Sequence, residues 1–115
     1  MEKKVRLGML CEIYGGLLTK KQLSVLSDYC DNDLSISEIA ENNNTTRQAI
    51  NDIIKKGENK LFEYEEKLGI MKTTLKNEKT IEDILMQINS IQTSYSDKKI
   101  AKILENVKKQ LSTIA

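Results

Sequence analysis

A chain of 115 residues has room for one domain, or for one domain with a helical extension. Its 18 Lys and Arg stand against 17 Asp and Glu, so the formal net charge of +1 supplies no global pull toward nucleic acid or a membrane surface. There is no proline, no histidine and no hairpin signal such as Asn-Gly, and glycine occurs only five times; this excludes an all-β chain and leaves an all-α one.

The N-terminal residues contain no long apolar run, so neither a signal peptide nor a transmembrane helix is expected, and the chain reads as cytoplasmic. Cys11 and Cys30 lack CxxC spacing, which leaves no zinc site and points to two reduced thiols in apolar helical surroundings. No cofactor is implied.

In chain order, Val5, Met9 or Leu10, and Ile13 recur at helical spacing over residues 2–14, a first amphipathic helix ending at Gly15-Gly16. Thr19 with Gln22 three residues later forms a capping box that opens a second helix. Leu18 is placed to staple onto it, and Leu23, Leu26, Tyr29 and Cys30 form its inward side. Asp31-Asn32-Asp33 ends that helix.

Ser35 and Glu38 repeat the capping-box pattern ahead of Ile36, Ile39 and Ala40. Asn42-Asn43-Asn44 must stop this third helix, because Asn is a poor helix former and tolerates the left-handed conformation. Thr46 then caps a fourth helix with Ile50, Ile53 and Ile54 on one side. Its other side carries Arg47, Gln48, Asn51, Asp52, Lys55 and Lys56.

Two short helices joined by a tight turn, the second with a polar outer face, describe a helix-turn-helix; an ordinary αα-hairpin with a solvated face is the alternative. Ala40 is small where the two helices cross, and one core is expected to hold Ile36, Ile39, Ala40, Ile50, Ile53 and Leu61.

The apolar stripe of the fourth helix continues through Leu61, Tyr64 and Leu68 to Gly69, about 22 residues or ~33 Å. Gly57 inside it costs roughly 1 kcal/mol relative to Ala and marks a bend or a close approach by another backbone. Lys72 to Asn77 reads as a polar connection. A fifth helix then carries Ile81, Ile84, Leu85, Ile88 and Ile91, and Thr93 to Ser96 interrupts the pattern, with Ser96 as a cap. A sixth carries Ile100, Ile103, Leu104, Val107, Leu111 and Ile114, close to a heptad seam. Residues 1–69 therefore read as a helix-turn-helix domain and 70–115 as a C-terminal helical pair. That pair either packs on the first domain or leaves part of its seam for a second copy, with a homodimer as the default.

Leu17-Leu18-Thr19-Lys20-Lys21-Gln22, Leu34-Ser35-Ile36-Ser37-Glu38-Ile39-Ala40-Glu41, Thr46-Arg47-Gln48-Ala49-Ile50 and Tyr64-Glu65-Glu66-Lys67-Leu68-Gly69 occur in this order. Together they resemble the YlxM-type helix-turn-helix proteins of Gram-positive bacteria, and the same stretch is similar to the DNA-binding region 4 of sigma factors. Family members are usually encoded beside the signal recognition particle GTPase. The resemblance thus implies a helix-turn-helix fold, nucleic-acid binding and a part in the signal recognition particle pathway.

Three functional classes follow. In the first, the outer face of the fourth helix (Thr46, Arg47, Gln48, Asn51, Asp52, Lys55 and Lys56) reads DNA or RNA: Arg bridges guanine O6 and N7, Asn or Gln pairs with adenine, and lysines, including Lys20, Lys21 and Lys60, meet phosphates. Against it, residues 1–69 hold 10 basic and 12 acidic residues, whereas 70–115 hold 8 and 5. In the second, the chain is a protein-interaction adaptor for the signal recognition particle or its GTPase. The third, an enzyme, has the least support: no phosphate-binding glycine loop or metal cluster is present, and Glu63, Glu65 and Glu66 read as a solvated helix face.

Overall fold

The computed structural model describes residues 1–94 and 98–114, with the side chains of 92–94 and 114 left aside. The described residues form six α-helices and one 3₁₀ turn. The helices are α1 (Lys3–Tyr14), α2 (Lys20–Cys30), α3 (Ile36–Asn42), α4 (Arg47–Leu68), α5 (Ile70–Ser94) and α6 (Lys98–Ile114), and the 3₁₀ turn (Gly15–Leu17) links α1 to α2. The chain divides into two compact units, Met1–Met71 and Lys72–Ala115.

The helix starts are set by local chemistry. Thr19 Oγ1 accepts the Gln22 N–H at 3.1 Å, and the Thr19 N–H donates back to Gln22 Oε1 at 3.1 Å. Ser35 and Glu38 make the same reciprocal pair at 3.1 and 3.2 Å. Thr46 Oγ1 accepts the Ala49 N–H at 3.1 Å, which opens α4 where its sequence requires.

Within the first unit α1, α2 and α4 pack against one another, while α3 packs on α2 and α4. The core comprises Leu7, Leu10, Cys11 and Tyr14 of α1, Val25 and Leu26 of α2, Ile39 and Ala40 of α3, and Ile50, Ile54 and Leu61 of α4. Ile36 and Ile53, expected in that core, are half-buried. The inward face of α1 matches expectation only at Leu10, which is buried: Val5 is 53% exposed, Met9 and Ile13 are half-buried, and Leu7, Cys11 and Tyr14 point inward instead. Apolar residues occur on both sides of α1, so spacing alone does not choose between its faces. On α2, Leu23, Tyr29 and Cys30 are half-buried and Val25 joins Leu26 inside.

Gly57 lies where α2 comes close. A Cβ there would stand 2.7 Å from Leu26 Cδ1 and 3.8 Å from Gln22 Cβ. The intruding group is thus the side chain of a fully buried leucine rather than a backbone.

Helix α4 ends where expected, at Gly69 in the left-handed region (φ 63°), whose N–H donates to Glu65 O at 2.8 Å. Leu68 just before it is 57% exposed, so the inward stripe stops at Leu61 and the half-buried Tyr64. The polar connection expected from Lys72 to Asn77 is helical instead: α5 starts at Ile70 directly after the corner. No proline or glycine breaks this stretch, and Met71 and Leu75 extend the α5 stripe back toward the corner.

The start of α5 is held by partners remote in sequence. Tyr14 Oη donates to Glu65 Oε1 at 2.7 Å and accepts the Ile70 N–H at 3.2 Å. Glu65 Oε1 also accepts the Met71 N–H at 2.9 Å. Glu65 is therefore not on a solvated face; it and Tyr14 satisfy two of the amides that every helix start leaves open.

In the second unit Ile81 and Ile88 are buried and Leu85 is half-buried, whereas Ile84 and Ile91 are exposed. On α6 Leu104, Val107 and Leu111 are half-buried, and Ile100 and Ile103 are exposed. Helix α5 continues to Ser94, and the expected cap at Ser96 lies outside the described residues.

Burial pushes the Cys11 thiol up to about 11, helped by Cys30 and Asp31 nearby, and raises Cys30 as well. Both thiols are thereby held away from the nucleophilic thiolate form. The Tyr14 phenol is raised by burial and by the adjacent Glu65. The neutral forms are favoured by folding, and an unfolded thiol ionises first, near 9. Stability should therefore be intact below pH 9 and fall as pH climbs through 11. Urea titrations across that window check this, and Cys11→Ala should reduce the slope without abolishing it, since Tyr14 and Cys30 shift the same way.

Candidate nucleic-acid interface

The turn between α3 and α4 is built by two asparagines and a threonine. Asn43 Nδ2 donates to Ile39 O at 2.7 Å, the Asn44 N–H to Glu41 O at 3.2 Å and the Thr45 N–H to Ala40 O at 3.0 Å. Asn44 takes φ 50°, the left-handed conformation that its place in the turn demands. Lys21 Nζ reaches Asn43 Oδ1 at 2.7 Å and ties the start of α2 to this turn.

Beyond the turn, Thr46, Arg47, Gln48, Asn51, Asp52, Lys55 and Lys56 are all exposed. They form two adjacent rows at four-residue spacing along α4, Arg47–Asn51–Lys55 and Gln48–Asp52–Lys56. Thr46 has a further task, since its hydroxyl oxygen caps the helix. Lys60, grouped with the phosphate-binding lysines in the sequence, is half-buried.

The first row borders two surface grooves. One, of about 480 Å³, is bounded by Arg47 and Asn51 together with Lys4, Tyr29, Asp33 and Glu38. The other, about 350 Å³, continues past Asn51, Asp52 and Lys55 to Lys3, Tyr29 and Glu58. Gln48 and Lys56 border neither groove.

The contribution of α1 to these grooves was not legible in the sequence, because Lys4 of the first and Lys3 of the second are placed there by the packing of α1 and carry no local motif. Lys3 Nζ pairs with Glu58 Oε1 at 3.0 Å and Lys4 Nζ with Asp33 Oδ1 at 2.9 Å. The Lys4 ammonium also sits 4.5 Å from the centroid of the Tyr29 ring, within cation–π range. Four cations thus face four carboxylates around the two grooves, and local neutrality replaces the basic stripe common on DNA-binding helices.

Among the described residues no group of three or more His, Cys, Asp or Glu side chains could hold a metal ion, and no helix is long and apolar enough to cross a membrane.

A family model described as "Putative helix-turn-helix protein, YlxM / p13 like" matches residues 1–107. A UPF0122 protein of Clostridium acetobutylicum is 39% identical over 115 residues, which cover all of this chain and 99% of the relative. One from Acetivibrio thermocellus is 40% identical over 114 residues, covering 99% and 97% of the two chains. One from Fusobacterium nucleatum is 38% identical over 107 residues, covering 93% and 97%. With nearly full-length agreement on both sides, the chain belongs to the UPF0122 family of YlxM/p13-like helix-turn-helix proteins.

Proposed function

We propose that this protein is a regulatory nucleic-acid-binding protein that presents the exposed face of α4 to a DNA groove or to a folded RNA. The observation that carries this reading is the exposure of Arg47, Gln48, Asn51, Asp52, Lys55 and Lys56 in two rows directly after a turn closed by left-handed Asn44. These side chains are of the types that pair with base edges and phosphates, and they start at the N-terminal end of the second helix, where such motifs make base contacts.

Arg47→Ala should remove roughly 1–3 kcal/mol of sequence discrimination, as one lost base contact does. Lys55→Ala should weaken all sequences alike and flatten the log–log salt dependence by about 0.9. Anisotropy titrations of labelled duplex DNA and of an RNA hairpin check both, and an unaltered Arg47→Ala titration would refute use of this face.

The resemblance to YlxM-type proteins extends the proposal to the signal recognition particle pathway, in the cytoplasm. The neutral grooves favour a second reading, in which the same face acts as an adaptor for the particle or its GTPase. Tight binding to those proteins without nucleic acid, unaffected by nuclease, would establish that reading.

The exposed Ile100 and Ile103 and the half-buried Leu104, Val107 and Leu111 of α6 support a homodimer built through the C-terminal unit. Light scattering should give twice the 13.1 kDa chain mass.

A further inference from the structure

The groove beside Arg47 and Asn51 holds an anion that belongs to the protein itself. Asp33 lies in the α2–α3 connection at φ 50°, and its 84% exposed side chain places Oδ1 2.9 Å from Lys4 Nζ. The Tyr29 ring holds the same ammonium at 4.5 Å from its centroid, so this lysine is oriented by two partners on α2 and the following loop. Arg47 borders the same groove, and Glu38 brings its charge to two cations and two carboxylates. A distance of 2.9 Å is also that of an ammonium on a phosphate oxygen.

We propose that Lys4 is a backbone-phosphate contact of the nucleic-acid interface and that the Asp33 carboxylate occupies the phosphate position until nucleic acid displaces it. This rests on the reading of α4 as a nucleic-acid-binding helix. Lys4 lines the same groove as Arg47 and Asn51, so a strand whose bases meet those residues brings its backbone within reach of the start of α1. A solvent-exposed ion pair is weak, so the exchange of carboxylate for phosphate meets little resistance. The internal carboxylate keeps the groove neutral and suppresses indiscriminate binding, because non-specific affinity scales with the number of phosphates neutralised. This accounts for a helix-turn-helix unit whose charges sum to −2 over residues 1–69.

Two variants separate the roles. Asp33→Asn removes only the charge and suits the left-handed backbone, which Asn adopts readily. Lys4→Met keeps the apolar stem over Tyr29 and removes the cation, and Lys4→Arg restores it. Thermal melts confirm that each is folded. Binding is read by anisotropy with a short mixed-sequence DNA duplex and with an RNA hairpin, over a series of salt concentrations. Asp33→Asn should bind about 3- to 10-fold more tightly, and Lys4→Met should bind more weakly with a salt slope flatter by about 0.9. Lys4→Arg should restore the wild-type slope. The probe that shows these changes identifies the source of the phosphate as DNA or RNA. Tightening by Asp33→Asn that persists in the Lys4→Met background would overturn the pairing, since the carboxylate would then act only through net charge. Binding that requires Arg47 but ignores both Lys4 and Asp33 would overturn this inference and leave the α4 reading intact. Absence of binding to either probe by the wild type and by Asp33→Asn would overturn both.

Discussion

Ala40→Glu should lower the unfolding free energy by roughly 3–5 kcal/mol, the cost of leaving a charge buried without a partner. Ala40 is 4% exposed on the short helix α3, which packs on both α2 and α4. Its carbonyl accepts the Thr45 N–H that closes the turn, so the backbone cannot retreat without opening the α3–α4 connection. A seven-residue helix has little stability of its own, and its folding depends on Ile39 and Ala40 being covered. Chemical denaturation measures the loss. A variant that melts with the wild type would show that α3 does not sit against α4 as described.

Gly57→Val should cost about 3 kcal/mol, and Gly57→Ala about 1–2 kcal/mol, although Ala is the better helix former by roughly 1 kcal/mol. The reason is the 2.7 Å separation between a Cβ at this position and Leu26 Cδ1, with Leu26 Cγ only 3.5 Å away. A leucine tip can usually swing aside, but Leu26 is 0% exposed and is enclosed where α1, α2 and α4 meet. Leu26→Ala is destabilising alone because it empties a buried site. In the double variant with Gly57→Ala the two losses should sum to less than the separate values, the added methyl filling part of the space. Urea denaturation of the four proteins gives the coupling. Stabilisation by Gly57→Ala alone would mean that helix propensity outweighs packing and that α2 and α4 lie further apart than described.

These two positions also show which parts of the fold are readable from the chain. The capping pairs Thr19–Gln22 and Ser35–Glu38, the Thr46 cap, the asparagine stop and Gly69 are all local, with partners within a few residues, and the sequence locates each of them. The face of α1 is not local information. Leu10 belongs to the expected set and is buried, but Val5, Met9 and Ile13 alternate with Leu7, Cys11 and Tyr14, and the choice falls to whichever set meets α2 and α4.

The same limit explains the start of α5. Its first amides are satisfied by Tyr14 and Glu65, one of them 56 positions away from its amide, so the stretch from Lys72 looks like a polar connection when read alone. Gly57 signalled a close approach, but nothing nearby in sequence identified Leu26 as the neighbour. In the candidate interface, the exposed face of α4 follows from helical periodicity. The contribution of Lys3 and Lys4 to the grooves does not, because the Lys4–Asp33 and Lys3–Glu58 pairs join residues far apart in sequence.

If nucleic acid is met by the outer face of α4, as proposed, amide chemical-shift mapping will place the contact there. The ¹⁵N-labelled protein is titrated with the duplex DNA or RNA hairpin that binds more tightly. The largest shifts should fall on residues 44–56, with a second group at the start of α1 around Lys3 and Lys4. Shifts confined to α5 and α6, with residues 44–56 unmoved at saturation, would rule out α4 as the nucleic-acid-binding helix.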